Sequence, residues 1–385
     1  MNPIIRLQQF CRSERAWLLD TIEALVRLES PSTDKAAVDR CGAELAKRLD
    51  AIGGRVTKLA QTGRGDHLRA EFGPAGPAEA GHHDKQVLLL GHFDTVWPVG
   101  QLDKMPLAQS NGRLHGPGAF DMKAGIGVAM LAVRALLEAA ACPRVVMLWT
   151  TDEEIGSGTS RAALEEEARR SDAVLVLEPS LPGGAVKTSR KGVGTFEITA
   201  RGVAAHAGLD PDKGASAIHE LAHQIGRLRR LPKQSRGITV NVGTIAGGTR
   251  SNVVAEEAKA LVDVRAETVD EMNMVDGILR HLQVADARVS LDISGGFDRP
   301  PLERTDKVVR LLQLAKNVAR ELGQELTEGS AGGGSDGNFT AALGVPTLDG
   351  LGPIGDGAHA LHEHVIVDAL PDRAALVAGL IQSIS

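Results

Sequence analysis

The feature that most restricts this chain is a set of short, unbroken apolar runs, each closed by polar or acidic residues: 86-QVLLLGHFDT, 145-VVMLW and 173-AVLVLE. A strand with one wet face alternates apolar and polar residues. A run that does not alternate is buried on both faces, as in a parallel sheet covered by helices. Helical patterns stand around these runs: SERAWLLDTIEALVRLES, AAVDRCGAELAKRLDAIG, 122-MKAGIGVAMLAVRALLEAA and RAALEEEARR. The alternation predicts an α/β domain on a mostly parallel sheet.

The pattern changes near residue 191. The segment 193-VGTFEITARG alternates like a half-buried strand, and 213-KGASAIHELAHQIGRLRRL is helical. Two further strands follow (238-ITVNVGTIAGG and 257-EAKALVDVRAE), then a helix (269-VDEMNMVDGILRHLQV) and a strand (288-RVSLDISGG). The order β-α-β-β-α-β is that of a ferredoxin-like α+β unit. After 299-RPP the chain returns to helix and buried strand. A length of 385 residues exceeds one ordinary core. The expected organisation is an α/β domain of residues 1–190 and 299–385, interrupted by an inserted domain of residues 191–298.

Composition removes several function classes. The net charge of -6 offers no general surface for a polyanion, and the absence of Tyr, with aromatics at 3%, removes the usual base-stacking platforms. No nucleic-acid partner is expected. No apolar run approaches the roughly 18 residues of a membrane span, and the first residues lack the apolar stretch and cleavage site of a signal peptide. The three scattered cysteines form neither a CxxC knuckle nor a disulfide framework. A cytoplasmic location is the expectation.

Chemistry-bearing residues recur at the predicted strand ends. His92 and Asp94 follow 87-VLLL, Glu153 and Glu154 follow 145-VVMLW, and Glu178 closes 173-AVLVL. Asp121 precedes a helix, and His359 follows 348-LDGLGPIGDGA. Ligands of open α/β sheets bind outside the carboxyl ends of the strands, so these groups are expected to converge there. Imidazoles and carboxylates without a thiolate suit zinc, cobalt or manganese. Each residue also has an ordinary role. Acidic residues favour helix N-termini, Asp121 can cap the helix after it, and a histidine at a strand end is commonly structural. A hydrolase of paired carboxylates without metal would leave both histidines idle.

The segments GHFDTVWPVG, GPGAFDMKAGIG, TTDEEIGSGTSR, LEPS, GVAAHAG, GGGSDGN, PTLDGLGPIGDGAH and HALHEHV resemble, in this order and over essentially the whole chain, the co-catalytic zinc metallopeptidases. That family includes acetylornithine deacetylase, succinyl-diaminopimelate desuccinylase, aminoacylase and glutamate carboxypeptidase. The likeness is nearest to the glutamate carboxypeptidase (carboxypeptidase G type) branch. It implies two zinc ions, with cobalt or manganese as alternatives. His92 and Glu178 would hold one ion, Glu154 and His359 the other, and Asp121 would bridge them. Asp94 would fix the tautomer of His92 through a hydrogen bond, and Glu153 would be the general base. A cis peptide would follow Asp121. Glu363, four residues beyond His359, favours that histidine over His362.

The resemblance also implies that His206 polarises the scissile carbonyl in the site of a second copy, making the inserted domain a dimerisation lid. Asn252 and Arg265 would hold a substrate carboxylate, with help from Arg299 and from Gly333 and Ser335 of the glycine-rich loop. The alternative for Arg265 is a salt bridge on a strand face. Arg190, Lys191 and Lys187 are weaker candidates, and Trp97, just beyond the metal motif, is the nearby candidate for stacking a bulky ring. The implied reaction cleaves an amide next to a free carboxylate, in a small peptide or N-acyl amino acid, with glutamate as the leaving residue. The alternatives are a deacylase of another N-acyl amino acid and a non-catalytic binding protein on the same fold.

Overall fold

The computed structural model describes residues 2–74, 86–231 and 237–384. The three apolar runs form the strands Val87–His92, Val145–Thr150 and Ala173–Val176, every residue of which is buried. They are the middle of a six-stranded sheet in the order Arg55–Leu59, His67–Phe72, Val145–Thr150, Val87–His92, Ala173–Val176, Thr347–Leu348. The last three pairings are parallel and the first two antiparallel. The sheet is mostly parallel, as the unbroken runs require.

Helices cover this sheet for the reason the runs imply: its strands have no face for water. Helix Ala124–Glu138 is apolar nearly all round, from Ala124 to Leu136, and packs against helix Leu370–Ile384. Residues of both helices share one core with Leu89, Met147 and Leu175 of the strands. Helix Pro3–Ser13 joins the same core through Ile4, Leu7 and Cys11, and Asn2 caps its start by accepting from the Ile4 N–H. The sequence reading did not assign this helix or the strands Arg55–Leu59 and His67–Phe72. Nor did it assign a small sheet ordered Gly355–Asp356, His364–Ile366, Arg113–His115, Ala108–Ser110.

The chain divides into two compact units. One comprises Met1–Thr188, Arg304–Ala331 and Ser335–Ser385; the other comprises Ser189–Glu303 and Gly332–Gly334. The second unit begins two residues before the limit expected at 191 and runs five past 298. A bridge between Arg190 and Leu302 closes its neck, and the Arg190 guanidinium donates to the Gly333 and Gly334 carbonyls. Its element order is Gly192–Arg201, Ala217–Leu228, Thr239–Gly247, Glu257–Ala266, Val269–Arg280, Ser290–Arg299. The first, third, fourth and sixth are strands, and they pair antiparallel in the order third, fourth, first, sixth. This is the ferredoxin-like arrangement. Its separate core includes Phe196, Ile198, Leu221, Val262, Val264, Val275 and Leu279.

One glycine shows how tightly the six-stranded sheet is covered. A Cβ on Gly125 would lie 2.1 Å from the Leu177 carbonyl oxygen, which is backbone and cannot rotate aside. Gly125→Ala is expected to destabilise the fold by about 1–3 kcal/mol. Chemical denaturation checks this; an unchanged midpoint would contradict the close approach.

Candidate active site

The parallel register brings the chemistry to one edge. His92 ends its strand directly beside Thr150, and Leu90 stands beside Val176, two residues before Glu178. The Val145–Thr150 strand runs into a single tight turn, Glu153–Ile155, that carries both glutamates. Asp121 arrives from the turn before helix Ala124–Glu138, where its backbone is non-helical (φ -115°, ψ 92°) and the Asp121–Met122 peptide is cis. His359 arrives with φ 61°, a left-handed conformation uncommon outside glycine.

Two imidazoles face one carboxylate from opposite sides. His92 Nε2 lies 3.4 Å from Asp121 Oδ1 and 3.4 Å from Glu178 Oε1. His359 Nε2 lies 3.4 Å from Asp121 Oδ2 and 3.2 Å from Glu154 Oε2. Asp121 therefore gives one oxygen to each of two His-carboxylate pairs. Charge-assisted N–H···O bonds are shorter, about 2.7–2.9 Å. Donors about 2.0–2.1 Å from a shared tetrahedral centre stand roughly 3.3–3.4 Å apart, which these contacts match. Ligand atoms of His92, Asp121 and Glu154 all lie within 4.8 Å of one another. The buried Glu154 Oε1 has no hydrogen-bond partner among the described residues. His362, the alternative to His359, is exposed, and its carbonyl accepts from the His364 ring.

The electrostatics point the same way. Burial alone would lower the His92 pKa, but the carboxylates of Asp121, Asp94 and Glu178 outweigh it and raise it well above 6.5. Asp121 and Glu154 push His359 up to about 10. Burial would raise the Asp121 carboxyl, yet the two imidazoles draw it far below the ordinary range. Burial raises Glu154, and the Asp121 charge adds to this against the pull of His359. A cluster so rich in carboxylate needs positive charge at its centre. Protons on the imidazoles supply it in the metal-free protein, and divalent cations fit the same nitrogen and oxygen donors.

Surrounding residues aim these groups. His92 Nδ1 lies 3.0 Å from the Asp94 main-chain oxygen and 3.4 Å from its carboxylate. The nearer partner is the carbonyl, not the side chain expected from sequence. An Nδ1–H donated there leaves Nε2 as the nitrogen that faces Asp121 and Glu178 and would offer its lone pair to a metal once its proton is displaced. The Asp94 carboxylate instead accepts from the Ser32 hydroxyl at 2.7 Å and the Glu154 N–H at 3.4 Å. Glu363 holds the Asp121 turn by accepting from the N–H groups of Gly118, Phe120 and Asp121 at 2.9–3.0 Å. The Trp97 indole donates to the same carboxylate at 2.8 Å, which ties this ring to the turn.

The loop carrying Glu153 and Glu154 is gripped on both flanks. Asp336 accepts from the Thr150 hydroxyl at 2.9 Å and from the Ser157 hydroxyl. His67 sits between the hydroxyls of Thr151 and Thr159 at 2.9 and 3.2 Å, and Asp152 accepts from the Thr159 N–H and hydroxyl. Sequence reasoning missed these positioning groups. Asp152 and Asp336 lay inside quoted motifs, whereas a lone histidine at 67 carries no signal of its own.

The remaining candidates are arranged as follows. His206 is exposed, and its Nδ1 accepts from the N–H groups of Gly208 and Leu209 at 3.1 and 3.0 Å. Its ring proton therefore resides on Nε2, which is the donor. The His206 loop pairs with that of Asn252 through the Ala207 N–H to Asn252 carbonyl bond at 3.0 Å. Arg265 is closed on Asp263 by two 2.9 Å bonds, the strand-face salt bridge that the sequence left open. Arg299 is buried, with its Cδ against Gly334. Gly333 offers its carbonyl to Arg190 at 3.1 Å. Ser335 is fully buried; its hydroxyl donates to Asp349 at 2.6 Å and its N–H to Asn338 at 2.9 Å. Those two donors, expected to meet substrate, are committed within the chain because they fix the turn after the glycines.

Two outcomes test the geometry. Glu363→Ala should loosen the Asp121 turn and weaken zinc binding about 10–100-fold, read by competition with a chromophoric chelator; unchanged affinity would contradict the clamp. The neighbouring carboxylates raise the pKa values of His92 and His359 and so favour their protonated forms without metal. Zinc must displace those protons, so its affinity should rise with pH across the neutral range. Calorimetry in two buffers of different protonation enthalpy should show net proton release; none would contradict the charge balance.

Comparison with known proteins places the chain in a family. The model of peptidase family M20/M25/M40 matches residues 88–383. Carboxypeptidase G2 of Pseudomonas sp. (strain RS-16) is 28% identical over 389 residues, covering 98% of this chain and 92% of that protein. A succinyl-diaminopimelate desuccinylase of Pseudoalteromonas atlantica (strain T6c / ATCC BAA-1087) is 30% identical, covering 76% of this chain and 82% of its own. Among solved structures, aminopeptidase PepT from Bacillus cereus ATCC 10987 superposes with a TM-score of 0.81 at 24% identity, over 96% of this chain and 98% of that one. With its α/β fold and a family model matched over most of its length, the chain belongs to peptidase family M20/M25/M40.

Proposed function

We propose that the chain is a dinuclear zinc hydrolase that cleaves an amide bond next to a free carboxylate, releasing C-terminal glutamate from a small peptide or N-acyl glutamate. The observation that carries this reading is the Asp121 carboxylate, shared between His92 with Glu178 on one side and His359 with Glu154 on the other. His92, Asp121 and Glu178 would hold one ion, and His359, Asp121 and Glu154 the second. When bound, the two ions would polarise the scissile carbonyl and acidify the attacking water.

The chain's own groups complete the reaction. Glu153, half-buried on the turn beside Glu154, takes a proton from water as its oxygen bonds the carbonyl carbon. It passes that proton to the departing nitrogen as the C–N bond breaks, a role typically worth about 10²–10⁴ in rate. His206 donates its Nε2–H to the carbonyl oxygen, acting from a second copy joined through residues 191–298. Asn252 and Arg265 receive the terminal carboxylate, with Asp263 holding the guanidinium plane ready. Arg299 and the Gly333 amide would assist them in holding the substrate. The carboxypeptidase G2 relative supports attack at a C-terminal residue, and the motif resemblance to the glutamate carboxypeptidases supports glutamate there.

A second reading, deacylation of another N-acyl amino acid, is favoured by the desuccinylase relative. Both share the metal groups and differ on the acyl side. A non-catalytic role would be marked by loss of Glu153 or a ligand residue, and each is present. No described helix is long and apolar enough to cross a membrane. A cytoplasmic location remains part of the proposal.

A panel of dipeptides and N-acyl amino acids, read by amine release with zinc, cobalt and manganese, separates the two readings. N-acyl glutamates should turn over fastest, and preference for another leaving residue would select the deacylase. Glu153→Gln should keep the metals and lose about 10²-fold or more in turnover, while Glu154→Gln should lose metal. Near-normal turnover in the first would remove Glu153 as base. His206→Ala should slow turnover without changing metal content, and loss of metal there would overturn its assigned role.

A further inference from the structure

Helix Ala217–Leu228 of the second unit carries the run His219-Glu220-Leu221-Ala222-His223. The spacing H-E-x-x-H puts two imidazoles four residues apart on one helix face, the arrangement that grips zinc in another class of metallopeptidase. Both rings are exposed, and neither enters a hydrogen bond or ion pair with a described residue. Both line one groove of about 540 Å³ whose far wall is Ala285, Asp286 and Arg288. Ser216 fixes the start of the helix by accepting from the His219 N–H.

We propose that His219 and His223 form a further transition-metal site, separate from the cluster around Asp121. Imidazole pairs favour zinc, nickel and copper, and the open groove leaves the other coordination positions to water. The fixed charges lining it are Glu220, Asp286 and Arg288. Arg288 and Asp286 neutralise each other through a 2.7 Å contact, which leaves the Glu220 carboxylate as the net charge.

The site binds without hydrolysing. In the H-E-x-x-H peptidases the glutamate is the general base. Here Glu220 is buried, and both oxygens are spent. One accepts from the Gln224 amide at 2.6 Å and the Ala285 N–H at 3.1 Å; the other accepts from the N–H groups of Ala285 and Asp286 at 2.9 and 3.2 Å. Glu220 pins the 285–286 turn to the helix and is not free to take a proton from water.

Zinc titration against a chromophoric chelator tests the proposal on the full chain. The unaltered protein should bind one more equivalent than His219→Ala/His223→Ala, with amide hydrolysis equal within twofold. His219→Gln and His223→Gln, each leaving one imidazole, should each weaken that equivalent at least tenfold; they also serve if the double variant fails to fold. Equal stoichiometry in all forms would overturn the proposal, as would a single substitution without effect. The readout is metal bound at this helix, so it stands or falls apart from the catalytic reading.

Discussion

Everything at the active edge depends on one carboxylate that two imidazoles must share. Asp121 faces His92 with one oxygen and His359 with the other, and its own pKa falls far below the ordinary range because of them. No single proton satisfies such an arrangement. It needs two positive centres, one on each side, and the Glu178 and Glu154 carboxylates complete the surroundings of each. The fold serves this requirement. Parallel strands deliver His92, Glu154 and Glu178 to one edge in register, and the Asp121 turn is held from outside by Glu363.

Support extends a full layer beyond the groups that would touch metal. Ser32, Asp94, Asp336, Asp152 and His67 fix backbone and side chains around Glu153 and Glu154. Glu153 and Glu154 are neighbours, yet they have different surroundings. Glu154 meets His359 and is mostly buried, and Glu153 lies at the start of the turn. That difference allows one to hold a metal while the other moves protons.

The catalytic sheet was legible because unbroken apolar runs leave a strand nowhere to go but a covered sheet. The convergence of His92, Glu154 and Glu178 followed from their place at the strand ends. Asp121 and His359 were different. Their loop positions placed them with the others, but nothing in their local pattern separates a ligand from a helix cap or a loop histidine, and only resemblance gave them their roles. The strands Arg55–Leu59 and His67–Phe72 escaped notice because each is short and carries charged residues among its apolar ones. Arg265 and Asp263 show a limit of another kind. Two residues apart on one strand face, they were bound to meet, so an arginine that suits a substrate carboxylate already holds one of its own. Ser335 shows the reverse error: its loop position suggested a donor for substrate, and burial turned that donor inward.

Anomalous diffraction from crystals of the zinc-loaded protein measures the central claim most directly. The account expects two zinc peaks at the sheet edge, one beside His92 and Glu178 and one beside His359 and Glu154, with the Asp121 carboxylate between them. A single peak there, or two that do not share Asp121, would contradict it.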